Sequence, residues 1–270
     1  MVFRLQTAPQ NGIMFFMIDT HCHLTDPFYA GGEEVIKNMK RDGLEALVTV
    51  GYDTATSAEC VRLSSENKGV YAAVGLHPSE LGHENGLDGI MPLLNAPKTV
   101  ALGEIGLDYH WDDVPRERQK EYLLLQLDLA CECGKPVIIH SRECDGDMLP
   151  ILKSYAKKLK APLVMHCFSS SEEIAREYVK LGFYISFSGT VTFKNAKKGD
   201  VIRAVPDELL LAETDSPYLT PVPHRGERNY PAYVRYTIEK LAEERGKSFE
   251  ETEKLTSENA RRFYGITETV

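Results

Sequence analysis

Histidine and carboxylate side chains recur in this sequence at the ends of short apolar runs. Six of them stand in that position: His21, His23, Glu104, His140, His166 and Asp215. Imidazole nitrogens and carboxylate oxygens bind divalent cations, and six such groups at one place suit two ions. Two neighbouring cations lower the pKa of a bound water and polarise a substrate oxygen. The set therefore predicts hydrolysis by a metal-activated water.

The spacing of these residues adds to what their types indicate. His21 and His23 are two apart on an extended segment, so both imidazoles face the same side. Such a pair alone is more often an ordinary polar feature than a metal site, and its companions on other runs change that interpretation. Glu104 is central in the set and is the expected bridge between two ions. Asp215 is the expected base. Glu213 shares its parity, so it either orients a ligand or forms a strand-end salt bridge.

The apolar runs read as the strands of a barrel. Eight of them alternate with helical patterns, at 17–21, 46–50, 70–76, 99–105, 136–140, 162–166, 183–187 and 209–214. Their mean spacing is roughly 27 residues, which suits a βα unit. We predict a single (β/α)8 TIM barrel, whose active site lies at the carboxyl ends of the strands. The alternative is a doubly wound open sheet, against which the chain lacks a glycine-rich dinucleotide motif.

The helical patterns and glycines define the predicted domain. Amphipathic stretches span 31–41, 115–133, 171–181, 231–246 and 250–264, and a glycine stands just before several strands, as at Gly134. We expect one domain over 17–265, a weakly ordered N-terminal extension over 1–16 and a C-terminal tail over 266–270.

Composition excludes several classes of protein. The 270 residues are 43% hydrophobic with a net charge of −9, which argues against a disordered chain and against a basic coat for duplex DNA. Bound cations could still supply positive charge for a phosphate substrate. No apolar run approaches the roughly 20 residues of a membrane span. The six cysteines are too sparse for a disulfide framework. We expect a cytoplasmic protein with no membrane association and no obligatory protein partner.

Six motifs carry a family resemblance. They are Met-Ile-Asp-Thr-His-Cys-His-Leu (17–24), Gly-Glu-Ile-Gly-Leu-Asp-Tyr (103–109), Ile-His-Ser-Arg (139–142), His-Cys-Phe-Ser (166–169), Glu-Thr-Asp-Ser-Pro-Tyr-Leu (213–219) and Asn-Ala-Arg-Arg-Phe-Tyr-Gly (259–265). The chain resembles the TatD family of metal-dependent deoxyribonucleases, of the amidohydrolase superfamily, over about residues 17–265. The resemblance implies a TIM barrel that hydrolyses phosphodiester bonds in DNA, often as a 3′-end exonuclease, with Mg²⁺, Mn²⁺ or Zn²⁺.

The resemblance also implies how the ligands are shared. One ion would be held by His21, His23, Glu104 and Asp215, and the other by Glu104, His140 and His166. Glu104 stands where many amidohydrolases have a carboxylated lysine, which makes a urease-like or phosphotriesterase-like site less favoured.

Further residues near the strand ends are candidates for contact with single-stranded DNA or its 3′ ends. They are His77, Tyr109, Arg142, Phe168, Ser188 and Arg225. His77 could bind a phosphate oxygen or protonate the leaving group, and it also counts as a candidate catalytic residue. Arg142 could clamp a phosphate or form a salt bridge. Tyr109 and Phe168 could stack on a base or simply pack the rim. Ser188, at the end of the seventh run, is a similar candidate. Arg225 could contact phosphate or pair with Glu213.

Two other hypotheses remain open from the sequence. The same metal site could serve a hydrolase of an amide, ester, lactone or aminoacyl-tRNA bond, although such an enzyme does not need His77, Arg142 and Arg225 to recognise phosphate. A non-enzymatic binding barrel is the other, and the intact ligand set argues against it.

Overall fold

A computed structural model describes residues 16–84 and 86–270. The expected extension over 1–16 lies, except for Phe16, outside the described residues. Eight strands form within them: β1 (Met17–Cys22), β2 (Leu44–Val50), β3 (Val70–Val74), β4 (Thr99–Asp108), β5 (Val137–Arg142), β6 (Leu163–Met165), β7 (Tyr184–Phe187) and β8 (Leu210–Ala212). Each is parallel to its neighbour, in the order of the chain.

Helices follow most of the strands. The described residues form α1 (Glu33–Asn38), α2 (Thr54–Glu66), α3 (Arg116–Cys133), α4 (Asp145–Tyr155), α5 (Glu172–Lys180), α6 (Gly199–Ala204), α7 (Val234–Arg245) and α8 (Phe249–Tyr264). No helix among them has both the length and the apolar character needed to cross a membrane.

Contacts between the last and first strands close the sheet. The Thr20 hydroxyl donates a hydrogen bond to the carbonyl of Ala212 at 2.9 Å. Beyond β8, the Asp215 amide donates to the carbonyl of His21 at 2.9 Å. This closure, with helices outside the sheet, confirms the predicted TIM barrel, and the open-sheet alternative is wrong.

The residues of one strand divide between two different apolar clusters. In β2, Leu47 packs in the larger cluster, whereas Ala46, Val48 and Val50 pack in the smaller one. Leu44 precedes an irregularity in the pairing of β1 with β2, and it also packs in the larger cluster. Both sets are almost completely buried, which is the arrangement of parallel strands covered on both faces. The near-continuous apolar runs of the sequence have this cause.

The strand and helix boundaries differ from the prediction where local signals conflict. β4 continues to Asp108, past the predicted end at 105, because it goes on pairing with β5 as far as Arg142. α4 contains Pro150, which lacks the N–H of a helix interior and so obscured the helical pattern. α1 covers only Glu33–Asn38 of the predicted 31–41, because Gly31 and Gly32 precede it with φ of 93° and 77°.

The C-terminal residues pack against the strands rather than extend away from them. Ile266 is buried. The Tyr71 hydroxyl donates to the carbonyl of Glu268 at 2.8 Å, and the Val270 amide donates to the carbonyl of Glu45 at 3.0 Å. The tail predicted over 266–270 thus lies near the starts of β2 and β3, at the opposite end from the predicted site.

Candidate metal centre

The six predicted ligands meet at the carboxyl ends of the strands. His21 lies in β1 and His23 just beyond it, Glu104 in β4, His140 in β5, His166 one residue past β6 and Asp215 three residues past β8. Five strands therefore each deliver a side chain to one place.

Glu104 directs its two carboxylate oxygens to different groups of residues. On one side, Oε2 lies 3.3 Å from His21 Nε2 and 3.9 Å from His23 Nε2. Asp215 completes that group, because its Oδ1 lies 3.3 Å from His23 Nε2 and 3.8 Å from His21 Nε2. Two imidazole nitrogens and two carboxylate oxygens thus converge.

The other oxygen of Glu104 faces the second group. Oε1 lies 2.7 Å from His140 Nδ1 and 2.6 Å from His166 Nε2. This division of one carboxylate between two histidine groups matches the two ligand sets that the sequence implied. It is the arrangement that a bridging carboxylate requires.

Each histidine has an inward nitrogen that faces Glu104 or Asp215 and an outer nitrogen that points away. The hydrogen bonds of the outer nitrogens decide whether these residues fit a cation. His23 Nδ1 donates to the carbonyl of Val50 at 2.9 Å, and His166 Nδ1 donates to Glu213 Oε1 at 3.0 Å. His140 Nε2 lies 3.0 Å from Asp108 Oδ2 in the same way. Because these contacts hold protons at the outer positions, the inward nitrogens are the ones that give up their protons and bind metal.

The inward nitrogens of His21 and His23 also lie close together. His21 Nε2 and His23 Nε2 approach within 3.2 Å, beside the two carboxylates. The outer nitrogen of His21, Nδ1, is buried without a hydrogen-bond partner among the described residues. The donor set therefore fits divalent cations. Its many imidazoles favour Zn²⁺ or Mn²⁺ over Mg²⁺, which prefers oxygen ligands.

The electrostatics of the centre follow from burial beside imidazoles. Burial alone raises the pKa of Glu104, but the surrounding imidazoles, His166 foremost, outweigh it and hold that pKa well below its usual range. Burial likewise opposes ionisation of Asp215, and its hydrogen bond to His23 lowers its pKa on balance. Both carboxylates are thus ionised near neutral pH and available to cations.

The backbone is unusual at two positions that shape the centre. Asp215 has a φ of 56°, and Cys167, directly after His166, has a φ of 45°. Non-glycine residues seldom adopt this left-handed region, and such strain concentrates at functional sites. Gly106 permits a different close approach, because a Cβ atom there would overlap the carbonyl oxygen of His140.

His77 lies beside the centre but offers a proton rather than a lone pair. The Ser79 amide donates to His77 Nδ1 at 3.1 Å, so the ring proton of the neutral imidazole resides on Nε2. That nitrogen is 3.7 Å from Glu104 Oε1. Burial and the neighbouring His140 lower the pKa of His77 to about 3, so the ring is neutral. A neutral N–H suits a hydrogen bond to a substrate oxygen better than proton donation to a leaving group.

Three of the other predicted substrate contacts lie on the rim. Arg142 ends β5, lines a cavity of about 670 Å³ together with His140 and Asp215, and lies 5.8 Å from the ring centre of Trp111. The Tyr109 hydroxyl donates to Asp147 at 2.7 Å. Arg225 lies over the ring of Phe193.

Phe168 and Ser188 do not face the cavity as predicted. Phe168 is 5% exposed and packs edge-on against Tyr178, with 6.3 Å between ring centres. Ser188 is 1% exposed and accepts from the Thr190 amide at the start of a short 3-10 turn. The left-handed Cys167 turns the chain after β6, and Phe168 packs inward instead of reaching the rim. Both residues have structural roles.

The structure decides among other side-chain alternatives. Glu213 pairs with His166 rather than with Arg225, so it orients a ligand as its parity indicated. Asp108 is the functional residue that the sequence argument missed. It stands four residues after Glu104, on the same face of an extended β4, and that shared parity was the available signal.

Comparison with known proteins agrees with this geometry. Residues 18–265 match the family model described as TatD related DNase. The chain is 44% identical over 254 residues to the uncharacterized metal-dependent hydrolase YabD of Bacillus subtilis, covering 93% of this chain and 99% of that protein. It is 36% identical over 256 residues to the uncharacterized metal-dependent hydrolase YcfH of Escherichia coli K12, covering 93% and 96%.

A solved structure is similar over the same region. The crystal structure of YjjV, a TatD homologue from Escherichia coli K12, superposes with a TM-score of 0.88 at 32% identity, over 94% of this chain and all of that one. The family model spans every strand that supplies a predicted ligand. The relatives are described as metal-dependent hydrolases, which argues against the alternative of a non-enzymatic barrel. The chain belongs to the TatD-related DNase family and is a metal-dependent hydrolase.

Proposed function

We propose that this hydrolase cleaves phosphodiester bonds in DNA and removes nucleotides from the 3′ ends of single strands in the cytoplasm. The family to which it belongs is described by its DNase activity. The observation that carries the proposal is the division of the Glu104 carboxylate between two ligand groups, with an ionised Asp215 and a neutral His77 beside it. A diester needs these groups: a base, a donor to its oxygens and concentrated positive charge.

The ligand groups divide the binding of two cations. His21, His23, Asp215 and Glu104 would hold one, and Glu104, His140 and His166 the other. Bound cations would lower the pKa of a water and withdraw charge from a phosphoryl oxygen. Zn²⁺, Mn²⁺ and Mg²⁺ are the candidates, and the nitrogen-rich set favours the first two.

The residues of the chain carry the proton transfers. As the water oxygen bonds to phosphorus, the Asp215 carboxylate takes the proton of the water. The bond between phosphorus and the leaving alkoxide breaks, and the alkoxide receives that proton. His77 donates its Nε2–H to a non-bridging phosphoryl oxygen as charge develops there. Its neutral state and fixed tautomer favour this role.

Rim residues would hold the diester in place. Arg142 lines the same cavity as His140 and Asp215, so its guanidinium can form paired hydrogen bonds to a phosphate. Arg225 can contact a neighbouring phosphate. Tyr109, whose hydroxyl is already held by Asp147, offers its ring to a base.

A cleavage assay tests the proposal. Single-stranded oligonucleotides labelled at the 5′ or the 3′ end are incubated with chelator-stripped protein, to which Zn²⁺, Mn²⁺ or Mg²⁺ is added separately. We expect stepwise shortening of the 5′-labelled strand and early release of the 3′ label, with Glu104→Ala inactive. Absence of cleavage by protein that retains its ions would contradict the proposal and direct attention to amide, ester, lactone and aminoacyl-tRNA substrates.

A further inference from the structure

Charge is distributed unevenly around the mouth of the barrel. The outer loops after β7 and β8, residues 193–198 and 218–230, contain a single carboxylate, that of Glu227. The same loops contain five cationic side chains: Lys194, Lys197, Lys198, Arg225 and Arg228. The loops after β3 and β4, residues 75–91 and 109–115, contain acidic side chains and no Lys or Arg. In a chain of net charge −9, this local asymmetry would steer a polyanion toward the β7 and β8 side.

The guanidinium groups of the two arginines of this side lie over aromatic rings. The guanidinium of Arg225 lies 3.8 Å from the ring centre of Phe193. That of Arg228 lies 4.0 Å from the ring centre of Phe28, which follows β1, the neighbour of β8. Both arginines are exposed. Stacking fixes the plane of a guanidinium and leaves its N–H edge free for phosphate, so little further entropy is lost on binding.

The lysines of the loop after β7 differ in what they do. The Lys198 amine donates to the carbonyls of Ser169 and Ser170, so it ties this loop to the loop after β6. Lys194 and Lys197 are exposed beside it. Lys198 thus stabilises the loop, and the other two lysines present charge to solvent.

Phe193 connects this charged surface to the metal centre. Its half-buried ring lines the cavity of about 670 Å³ that also contacts His166 and Asp215. That volume lies within the range of about 300–1,000 Å³ of small-molecule sites, so it has room for one nucleotide. The ring therefore belongs to a cationic loop and also borders the cavity that the predicted ligands line.

We propose that a single strand of nucleic acid reaches the metal centre across a basic lip formed by Phe193, Lys194, Lys197, Arg225 and Arg228, with one base stacked at Phe193. The inference rests on the proposed function and adds to it the path of the strand and the residues along that path. Duplex is disfavoured on this path, because its bases are already stacked on one another and are not available to Phe193.

Fluorescence anisotropy of a labelled oligothymidylate of about 12 nucleotides tests the lip. The full chain is kept in chelator, so that no cleavage occurs, and binding is measured at several salt concentrations. We expect Lys194→Ala/Lys197→Ala to weaken binding about tenfold at low salt. The double variant should also reduce the slope of log K against log salt by about 1.4, because each of the two lost phosphate contacts contributes about 0.7 on a single strand.

A matched control separates the lip from general charge. Lys157 and Lys160 are also exposed, but they follow α4 at the opposite end of the barrel. Lys157→Ala/Lys160→Ala removes the same charge and should leave affinity and slope unchanged. Equal weakening by both double variants would overturn the lip, as would a wild-type protein that does not bind the oligonucleotide at low salt.

A second pair of variants tests the stacked base. Phe193→Ala should weaken binding about tenfold, because it removes both the stacking surface for the base and the ring over which Arg225 lies. Phe193→Tyr keeps an aromatic ring and should restore binding, which a loss of folding would not allow. Unchanged affinity in Phe193→Ala would contradict the stacking.

The cleavage assay, run on the same proteins with metal, keeps the two proposals apart. Binding that depends on the lip without cleavage would support the lip and contradict nuclease action. Cleavage by a protein whose binding is unchanged by the lip substitutions would support nuclease action and contradict the lip.

Discussion

Glu213 Oε1 accepts a hydrogen bond from His166 Nδ1 at 3.0 Å, which turns the other nitrogen of that ring to within 2.6 Å of Glu104. Glu213 is 1% exposed and adjoins β8, so its carboxylate is fixed. A residue beyond the ligands thus sets the tautomer of a ligand. We expect Glu213→Gln to lower metal affinity by about 10- to 100-fold.

Competition with a fluorescent chelator measures that affinity. Glu250→Gln makes the same change at an exposed position at the start of α8 and is the control. Equal metal affinity in the Glu213→Gln and wild-type proteins would show that Glu213 does not position His166.

Asp215 can be tested without disturbing its backbone. Its φ of 56° is tolerated by Asn better than by most residues, so Asp215→Asn should retain the fold. The amide cannot accept the proton of the water, and we expect kcat to fall by about 10²- to 10⁴-fold. Circular dichroism checks the fold and initial rates give kcat. A normal rate in the folded variant would exclude Asp215 as the base.

His77 separates hydrogen bonding to substrate from metal binding. Because Nε2 carries the proton, His77→Ala should lower kcat about 100-fold and leave the metal content unchanged. His77→Gln restores an N–H donor and should recover part of the rate. Mass spectrometry of the metal content distinguishes the two roles. Loss of an ion in His77→Ala would mean that this ring is a metal ligand.

Gly106 is expected to be essential for the approach of β4 to β5. A methyl group there would overlap the carbonyl of His140, and the φ of 158° adds strain. We expect Gly106→Ala to lower the free energy of unfolding by about 1–3 kcal/mol or more. Gly146→Ala is the comparison, because a Cβ at Gly146 meets no atom within 4 Å. Thermal unfolding of the two variants should differ clearly, and similar curves would contradict the crowding.

The sequence was sufficient to predict the barrel and the meeting of six histidine and carboxylate side chains at one end of it, because both follow from short-range periodicity. Parallel strands buried on both faces leave continuous apolar runs, and a polar residue at the end of such a run has few roles other than function. His21 and His23 could therefore be assigned to one face by alternation alone.

The remaining contacts depend on where each strand stops. Asp108 faces the centre only because β4 extends beyond Ile105, and pairing with β5 causes that extension. Phe168 turns inward because Cys167 adopts a left-handed conformation. Both effects are tertiary, and a shift of one residue reverses the face of a side chain. Alternation gives the face of Asp108 only when the full length of β4 is known, and it does not give the position of Phe168.

The central claim is that Glu104 joins two ions into one centre that cleaves a diester. Chelator-stripped protein is titrated with Mn²⁺, and bound metal and oligonucleotide cleavage are measured in the same samples for wild type and Glu104→Ala. We predict that wild-type activity rises to a plateau at about two equivalents per chain, and that Glu104→Ala loses metal affinity and cleavage together. Near-normal cleavage by Glu104→Ala, or a plateau at one equivalent, would contradict the bridging centre.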